Sequence, residues 1–432
     1  MGAERHVPFR ALRRAFLVHE VRHLTRAANA LDRSQSAITR SVLDLERFLG
    51  CRLFERRATG MVGTRHADLL FRRVQASLEH LAAADRKLRA LTGATGLARR
   101  TPHILQLDVS NAVVLAVLAV FDHRDVARAA ASLGIAPKSV RKSITAVERQ
   151  LGTRLFERTP TGAVAPTEAG NVLATHLKRA LSELRAGLEE LRGADEGISG
   201  VIRVGVTPSA GALLVPRAVR LLRRSHPNVV VAVRAGADHD LLSSLRSGDL
   251  DLVVGTLDAE DETSEQTATT RLTKDHVEVV ARADHPLARG KELSLADLLS
   301  LEWALPPRGS PLRRWFSRLL ESEGLPEPRP LVETASLTIL RGALLESECV
   351  GLTTQLECWH ELVAQNLLEP LTIPSLARQR VERPLYLNAL REAAAFSSPA
   401  VDAFLAALVD VAANVGRRPL TSAQRRYTNP IV

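Results

Sequence analysis

The 432-residue sequence predicts a multidomain fold: two all-α winged helix-turn-helix domains with linker helices, then a two-lobed α/β domain. Three observations support this prediction. A segment near the N-terminus recurs 102 residues later, positive charge is concentrated in the half that holds both copies, and the other half alternates strand-like with helix-like segments. The predicted boundaries are 10–91 and 104–192 for the winged domains, 199–415 for the α/β domain and 416–432 for a tail.

The repeat is the strongest of these signals. Residues 25–60 match residues 127–162 at 16 of 36 positions, and both copies contain the string RLFER. A single pair of ungapped copies indicates a duplicated domain rather than a solenoid array. We interpret the shared Ala, Leu and LFER positions as scaffold. The diverged residues between them are interpreted as outward-facing, so that each copy can recognise a different nucleic-acid sequence.

Each copy predicts two helices joined by a short turn, which is the helix-turn-helix pattern. The first helix has small and apolar residues on one face, and the second has apolar residues at helical spacing. These positions are Ala27, Ala28, Leu31, Ile38, Val42, Leu45 and Leu49 in the first copy and Ala129, Ala130, Leu133, Val140, Ile144, Val147 and Leu151 in the second. Gly50 and Gly152 follow the second helices, where a helix C-cap requires a positive φ.

The exposed positions of the second helix carry hydrogen-bond donors and acceptors that suit base edges. They are Gln35, Ser36, Thr39 and Arg40 in the first copy and Lys138, Ser139, Arg141 and Lys142 in the second. LFERRATGMVGT and LFERTPTGAVAPT then predict a strand–turn–strand wing, with Arg56, Arg57 and Arg158 able to reach backbone phosphates.

The charge distribution supports contact with a polyanion. Residues 1–196 hold 32 Lys and Arg against 20 Asp and Glu, whereas the remainder holds 26 against 28. By itself this asymmetry leaves open a solvated arginine-rich surface, but two winged copies in the basic half favour DNA binding over a purely structural helical unit. One alternative stays open, in which one copy no longer reads DNA and serves as a spacer or dimerisation unit.

A long linker helix is predicted after each wing. The second, at 167–191, has a heptad-like seam, and the first has a weaker seam that Asp85 interrupts. The seam positions are Leu173, Leu177, Leu181, Leu184, Leu188 and Leu191, and Val74, Leu78, Leu81, Leu88 and Leu91. Either the helices pair between subunits, or one copy's helix packs on the other's inside one chain. Residues 92–103 and 193–200 predict a flexible joint and a hinge.

The second half predicts two α/β lobes with a small-molecule site in the crevice between them. Strand-to-helix loops line such a crevice, where hydroxyl groups can hold an anion. The candidates are Thr207, Ser209, Thr256, Arg308, Ser310 and Thr353. Arg308 is expected to pair with a carboxylate or phosphate, or else to be a surface arginine beside a turn. Ser310 more simply caps the following helix.

These motifs resemble the LysR-type transcriptional regulators. The first copy, from Ala27 to Arg56, follows their pattern A-A-x-x-L, S-Q-x-A-x-[ST]-R and L-E-x-x-L-G-x-x-L-F-x-R, and the second adds PTEAG at 166–170. GDLDL (248–252) and VGLT (350–353) are placed as in the effector domain of that family. The second copy departs at Ala136 and Pro137, which replace Ser-Gln, and the first has TRHAD in place of TEAG.

The resemblance covers about residues 17–415. It implies a periplasmic-binding-protein-like effector domain, linker helices that pair between subunits, and Ser34 among the DNA-facing residues. The expected function is therefore a ligand-responsive, sequence-specific DNA-binding transcriptional regulator. Expected partners are double-stranded promoter DNA, a small-molecule effector of anionic character and further copies of the chain, as a homodimer or homotetramer. The alternative is an architectural DNA-bridging protein without effector control.

Other functional classes are not expected. The sequence lacks the common hydrolase, metalloprotease and nucleotide-binding motifs, so neither an enzyme nor a cofactor is predicted. Cys51, Cys349 and Cys358 lack metal or redox spacing, so no metal site is predicted. Without a secretory signal or an apolar run of 18 residues, we expect a cytoplasmic protein that has no membrane partner. An aromatic content of 3% argues against stacking on single-stranded nucleic acid.

Overall fold

The computed structural model describes residues 8–57, 60–92, 102–160, 163–256, 267–288, 292–358, 365–379, 382–390 and 398–415. These residues form two compact units. The first comprises the described part of Met1–Val201 with Arg246–Asp249, and the second comprises the other described residues. Most of the predicted joint at 92–103 and all of the predicted tail at 416–432 lie outside the described residues.

The first unit contains the two winged helix-turn-helix domains. The first domain consists of α1 (Phe9–Val21), α2 (Leu24–Ala30), α3 (Gln35–Leu49), β1 (Phe54–Arg57), β2 (Gly60–Gly63) and α4 (Arg65–Thr92). The second consists of α5 (Asn111–His123), α6 (Val126–Leu133), α7 (Pro137–Leu151), β3 (Phe156–Arg158), β4 (Val164–Pro166) and α8 (Glu168–Glu196), after a short 3₁₀ turn at His103–Gln106. The winged helix-turn-helix prediction is confirmed, whereas α1 and α5 were not predicted.

Local chemistry sets the helix ends of both domains. Ser34 caps α3, because its hydroxyl accepts a hydrogen bond from the Ala37 N–H at 3.3 Å. Pro137 takes the first position of α7, where its missing N–H has no helical partner to lose. Gly50 and Gly152 end α3 and α7 with φ of 73° and 67°, as the sequence predicted.

In both copies a half-buried glutamate holds the start of the LFER strand. The Glu46 carboxylate accepts hydrogen bonds from the backbone N–H groups of Leu53 at 2.7 Å and Phe54 at 3.1 Å. In the second copy the Glu148 carboxylate accepts from the Leu155 N–H at 2.8 Å. Each glutamate therefore ties the second helix of its pair to the first strand of the wing, which is a scaffold role.

The linker helices α4 and α8 pack against each other inside one chain. Their apolar residues, including Leu81 and Leu184, belong to one buried core that also takes in α1 and part of α5. Of the two arrangements that the sequence left open, the structure shows the one within the chain. The helix α8 continues to Glu196, so the predicted hinge at 193–200 was wrong in its first four residues.

The second unit is an α/β domain. Its strands are β5 (Gly200–Val206), β6 (Val229–Ala235), β7 (Leu252–Gly255), β8 (Thr267–Arg282), β9 (Trp303–Leu305), β10 (Pro330–Glu333), β11 (Val350–Thr354), β12 (Leu368–Pro370) and β13 (Glu382–Leu390). Its helices are α9 (Pro208–Ala212), α10 (Leu214–Ser225), α11 (Asp238–Arg246), α12 (Leu295–Leu298), α13 (Pro311–Ser322), α14 (Leu337–Glu346), α15 (Pro374–Gln379) and α16 (Pro399–Val415), with a 3₁₀ turn at Pro286–Ala288.

The order of the strands shows the two lobes. The described strands run β10-β9-β11-β8-β13-β7-β5-β6, and β12 pairs with β8. Parallel pairs lie towards both ends, β9 with β10 and β11 on one side and β5 with β7 on the other. The long antiparallel strands β8 and β13 lie between them. The sequence predicted only the last six residues of β8 and did not predict α9, β10 or α15.

Among the described residues, no helix combines the length and apolar character that a membrane span requires.

Candidate DNA-binding and effector sites

The helix α3 presents a polar groove to solvent. Gln35, Ser36, Thr39 and Arg40 line it together with Leu43, Asp44 and Arg47. Two of the candidate side chains also bond within their own copy, since the Thr39 hydroxyl donates to the Gln35 carbonyl at 2.9 Å and the Thr25 hydroxyl donates to the Gln35 side chain at 3.2 Å. Sequence reasoning missed Arg47, although its spacing of seven from Arg40 places both on one helix face.

The matching face of α7 is more basic. Lys138, Ser139, Arg141 and Lys142 are all exposed. The matching positions of α3 carry Ser36, Ala37, Thr39 and Arg40. This set of positions therefore holds three cationic side chains in α7 but only one, Arg40, in α3. Arg149, exposed at the position that matches Arg47, extends this face towards the end of the helix.

The wings expose the predicted arginines. Arg56 and Arg57 lie on β1, Arg158 lies on β3, and all three side chains are exposed. Arg57 is 2.9 Å from the Glu55 carboxylate, an exposed pair that a phosphate can replace at small cost. The structure therefore exposes all three arginines, and their contact with phosphates stays a prediction.

The loops after β5 and β7 form the centre of the candidate effector site. Thr207, Ser209 and Thr256 are 5%, 7% and 8% exposed. The Thr207 hydroxyl is buried and has no hydrogen-bond partner among the described residues. A side chain at Gly255 would approach the Thr207 methyl group to 2.5 Å, so glycine lets the two loops pack this closely. The Thr256 hydroxyl lies 3.5 Å from the Asp238 carboxylate.

One contact joins this group to β11. The Thr354 hydroxyl donates to the Ser209 hydroxyl at 3.4 Å. The preceding residue Thr353, which the sequence proposed, instead bonds to the Glu357 carboxylate at 3.1 Å. Neighbouring residues of a strand point to opposite faces, so only one of these threonines can face Ser209. Sequence reasoning missed Thr354 because a pattern of small polar residues does not fix which face a strand turns to its crevice.

The remaining candidates lie after β9. Ser310 caps α13, since its hydroxyl accepts from the Arg313 N–H at 3.2 Å. The backbone N–H of Arg308 donates to the Glu333 carboxylate at 3.1 Å, and the exposed Arg308 side chain is close enough to Glu327 to contribute to lowering the pKa of that carboxyl, after Arg313 and Ser317. The contacts of Arg308 are thus with the loop and strand next to it.

Comparison with known proteins identifies both halves of the chain. The family described as "LysR substrate binding domain" matches residues 195–413. The family described as "Bacterial regulatory helix-turn-helix protein, lysR family" matches twice, at residues 9–68 and 114–171.

Similar proteins give the same assignment. The HTH-type transcriptional regulator GalR of Pseudomonas putida is 30% identical over 400 residues, which cover 92% of this chain and 96% of GalR. GbpR of Azospirillum brasilense, also named as an HTH-type transcriptional regulator, is 33% identical over 234 residues, covering 54% and 68% of the two chains. A full-length OxyR variant of Pseudomonas aeruginosa has a similar fold, with a TM-score of 0.50 and 20% identity over 70% of this chain and 93% of OxyR.

The duplicated DNA-binding domain, the two-lobed effector domain and a relative matched along nearly its whole length agree, and they give the architectural alternative no support. The chain belongs to the LysR family of ligand-responsive, DNA-binding transcriptional regulators.

Proposed function

We propose that this regulator holds promoter DNA with both of its winged domains and changes that contact when a small anionic molecule binds its second unit. The observation that supports the DNA part best is the pair of exposed polar helix faces on α3 and α7, each followed by an arginine-bearing wing. A helix of this kind reads base edges from its N-terminal residues, while wing arginines neutralise phosphates.

The proposed roles divide the candidates into three groups. Gln35, Ser36, Thr39, Arg40, Lys138, Ser139, Arg141 and Lys142 contact base edges, Arg56, Arg57 and Arg158 contact phosphates, and Ser34 orients α3 as its N-cap. Under this assignment both copies read DNA, because each keeps the Glu46 or Glu148 tie that holds the reading helix against its wing.

The effector site is proposed at Thr207, Ser209, Thr256 and Thr354, with Arg308 and Ser310 at its edge; Thr354 replaces the predicted Thr353, because Thr354 is the one that contacts Ser209. A buried hydroxyl without a protein partner is costly, and a ligand acceptor that bonds to Thr207 removes that cost. The neighbouring hydroxyls of Ser209 and Thr256 suit a carboxylate or phosphate, and Arg308 supplies a cation. Ligand binding then favours one state of the regulator over another by its difference in affinity for the two.

The role is binding rather than catalysis, and the protein acts in the cytoplasm. Both inferences follow from the relatives, which are named as transcriptional regulators and so act where DNA is transcribed. Chains of this family bind promoter DNA and an effector and assemble into homo-oligomers.

A nuclease footprint on DNA upstream of the gene tests the DNA part. We expect a discrete protected region at physiological salt, weakened in Arg40→Ala and in Arg141→Ala and unchanged in Arg318→Ala, an exposed arginine of the second unit. Diffuse protection that salt abolishes would leave only charge attraction and overturn the assignment of base-reading residues.

A thermal-shift comparison tests the effector site. Sodium salts of aromatic and sugar acids serve as probes, because the proposed site offers hydroxyls and a cation to a carboxylate. At least one probe should raise the melting temperature of the wild type, and Thr207→Val should abolish that shift while leaving the footprint intact. A shift that is equal in Thr207→Val would place the ligand elsewhere.

A further inference from the structure

The two linker helices correspond residue by residue with an offset of 103, not 102. Thr64 and Thr167 play one role in the two copies, since their hydroxyls donate to the carbonyls of Arg52 at 2.8 Å and Arg154 at 2.7 Å. The offset changes in the wing. Two residues separate the paired positions 57 and 60 in the first wing, whereas three separate positions 159 and 163 in the second.

With this offset, α4 and α8 are related by an approximate two-fold axis. Arg73 of α4 contacts Glu183 and Glu190 of α8. The counterparts of these three residues are His176, His80 and Lys87, and His80 and Lys87 act electrostatically on the buried His176. The residues that pair at one end of the helix pair therefore have counterparts that act on each other at the other end. Such a reciprocal arrangement, in which residue i faces j and the counterpart of j faces the counterpart of i, is typical of an isologous dimer interface, and here it forms inside a single chain.

The two ends of this interface carry opposite chemistry. At one end the Arg73 side chain, 1% exposed, lies 2.8 Å from the Glu183 carboxylate and also pairs with Glu190, which is 5% exposed. At the other end His176 faces the basic side chains of His80 and Lys87. Burial alone would lower the pKa of Arg73, but Glu190 and Glu183 raise it above its ordinary value. Burial, then Lys87, Arg179 and His80, lower the pKa of His176 to about 4.

This asymmetry disfavours pairing between like helices. An α4 helix paired with α4 of a second chain would place Arg73 beside His80 and Lys87, which leaves the buried guanidinium without a carboxylate and next to the Lys87 cation. An α8 helix paired with α8 would give Glu183 and Glu190 a histidine in place of the guanidinium. Buried charges without a matching partner are strongly destabilising, so the divergence of the two copies selects the α4–α8 pair.

The reading helices that this pair presents are unlike. The face of α3 carries Gln35 and one cation at its N-terminal positions, and Gln suits the N6 and N7 edge of adenine. The face of α7 carries Lys138, Arg141 and Lys142, which suit the O6 and N7 edge of guanine. A two-fold relation between reading helices presents them to half-sites in inverted orientation.

We propose that each chain is an internal dimer whose α3 and α7 together read one asymmetric DNA site, made of two different half-sites in inverted orientation. This inference rests on the proposed function, in which both helices contact DNA. A further copy of the chain then adds a second asymmetric pair rather than completing a palindrome.

Selection of binding sites from random duplex DNA with the full-length protein tests the inference. We expect two different motifs at one fixed spacing and in inverted orientation, with one chain for each motif pair by native mass spectrometry. Arg40→Ala should weaken binding through one motif, and Arg141→Ala through the other, each by about 5- to 150-fold. Arg318→Ala is the matched control and should change neither motif.

Three other results would overturn it. A palindrome whose two halves both respond to one variant would show pairing between chains and a single reading copy. Two motifs without fixed spacing would show that the reading helices act independently. Two chains for each motif pair would show that the α4–α8 pair forms by exchange between chains. If no sequence is enriched, the proposed DNA-reading function itself fails, which is a distinct outcome.

Discussion

The replacement Arg73→Met examines the ion pairs that join α4 to α8. It keeps much of the side-chain volume but removes the guanidinium from two carboxylates that are 13% and 5% exposed. Removing one partner of a buried ion pair costs about 3–5 kcal/mol. For a unit of about 200 residues, each kcal/mol lowers the melting temperature by roughly 2–4 °C, so we expect a loss of roughly 6–20 °C.

The tryptophans provide an internal control when the effect of Arg73→Met is also measured by urea unfolding. The three tryptophans of the sequence, at 303, 315 and 359, all lie beyond the first unit. Urea unfolding followed by tryptophan fluorescence should therefore be the same in Arg73→Met and the wild type. Far-UV circular dichroism also detects the long helices α4 and α8. It should show the first unit of Arg73→Met unfolding at a lower urea concentration than that of the wild type.

A compensating variant separates charge from packing. Replacing Arg73 by Met together with Glu183 and Glu190 by Leu removes all three charges, and a buried ion cluster exchanged for apolar residues is often neutral or stabilising. We expect the triple variant to recover most of the stability that the single variant loses. A single variant within about 1 kcal/mol of the wild type, or a triple variant no better than the single, would refute the reasoning.

Three further predictions concern the same unit. Gly170→Ala should lower stability by about 1–3 kcal/mol in thermal unfolding, since the new Cβ would overlap the Leu155 carbonyl oxygen, whereas the control Gly342→Ala, with nothing within 4 Å, should not. Glu46→Ala should cost about 1–3 kcal/mol by the same assay, because two backbone N–H groups lose their acceptor; a neutral result would deny the scaffold role. The free energy of unfolding of the first unit should fall as the pH is lowered from about 6.5 to 4, because His176 binds a proton more readily in the unfolded chain. The replacement His176→Gln should therefore flatten the pH dependence of the urea midpoint.

Much of the first unit could be predicted from the sequence, because local patterns encode it. The helix pairs and the positive-φ glycines depend on residues a few positions apart, and the repeat shows the same local pattern twice. The helix α5 escaped prediction because Val114 to Val120 are buried on every side, so no amphipathic period marks them. Its counterpart α1 has a basic face and shares little sequence with it, so the repeat did not reveal either helix.

The candidate effector site was only partly predictable. Thr207, Ser209 and Thr256 could be named as candidates because they follow strands, and strand ends meet at one edge of a parallel sheet. The contact between Ser209 and Thr354 joins residues 145 positions apart, so it depends on the register of β11 against its neighbours.

The sequence by itself determined that this protein has two DNA-binding domains and one effector domain, because each is set by short-range periodicity, turn residues and family motifs. Only the tertiary structure decided that α4 pairs with α8. That choice depends on Arg73 meeting Glu183 and Glu190, which lie more than a hundred residues away along the chain. Leucine seams alone permit like or unlike helices to pair, and the buried charges favour the unlike pair.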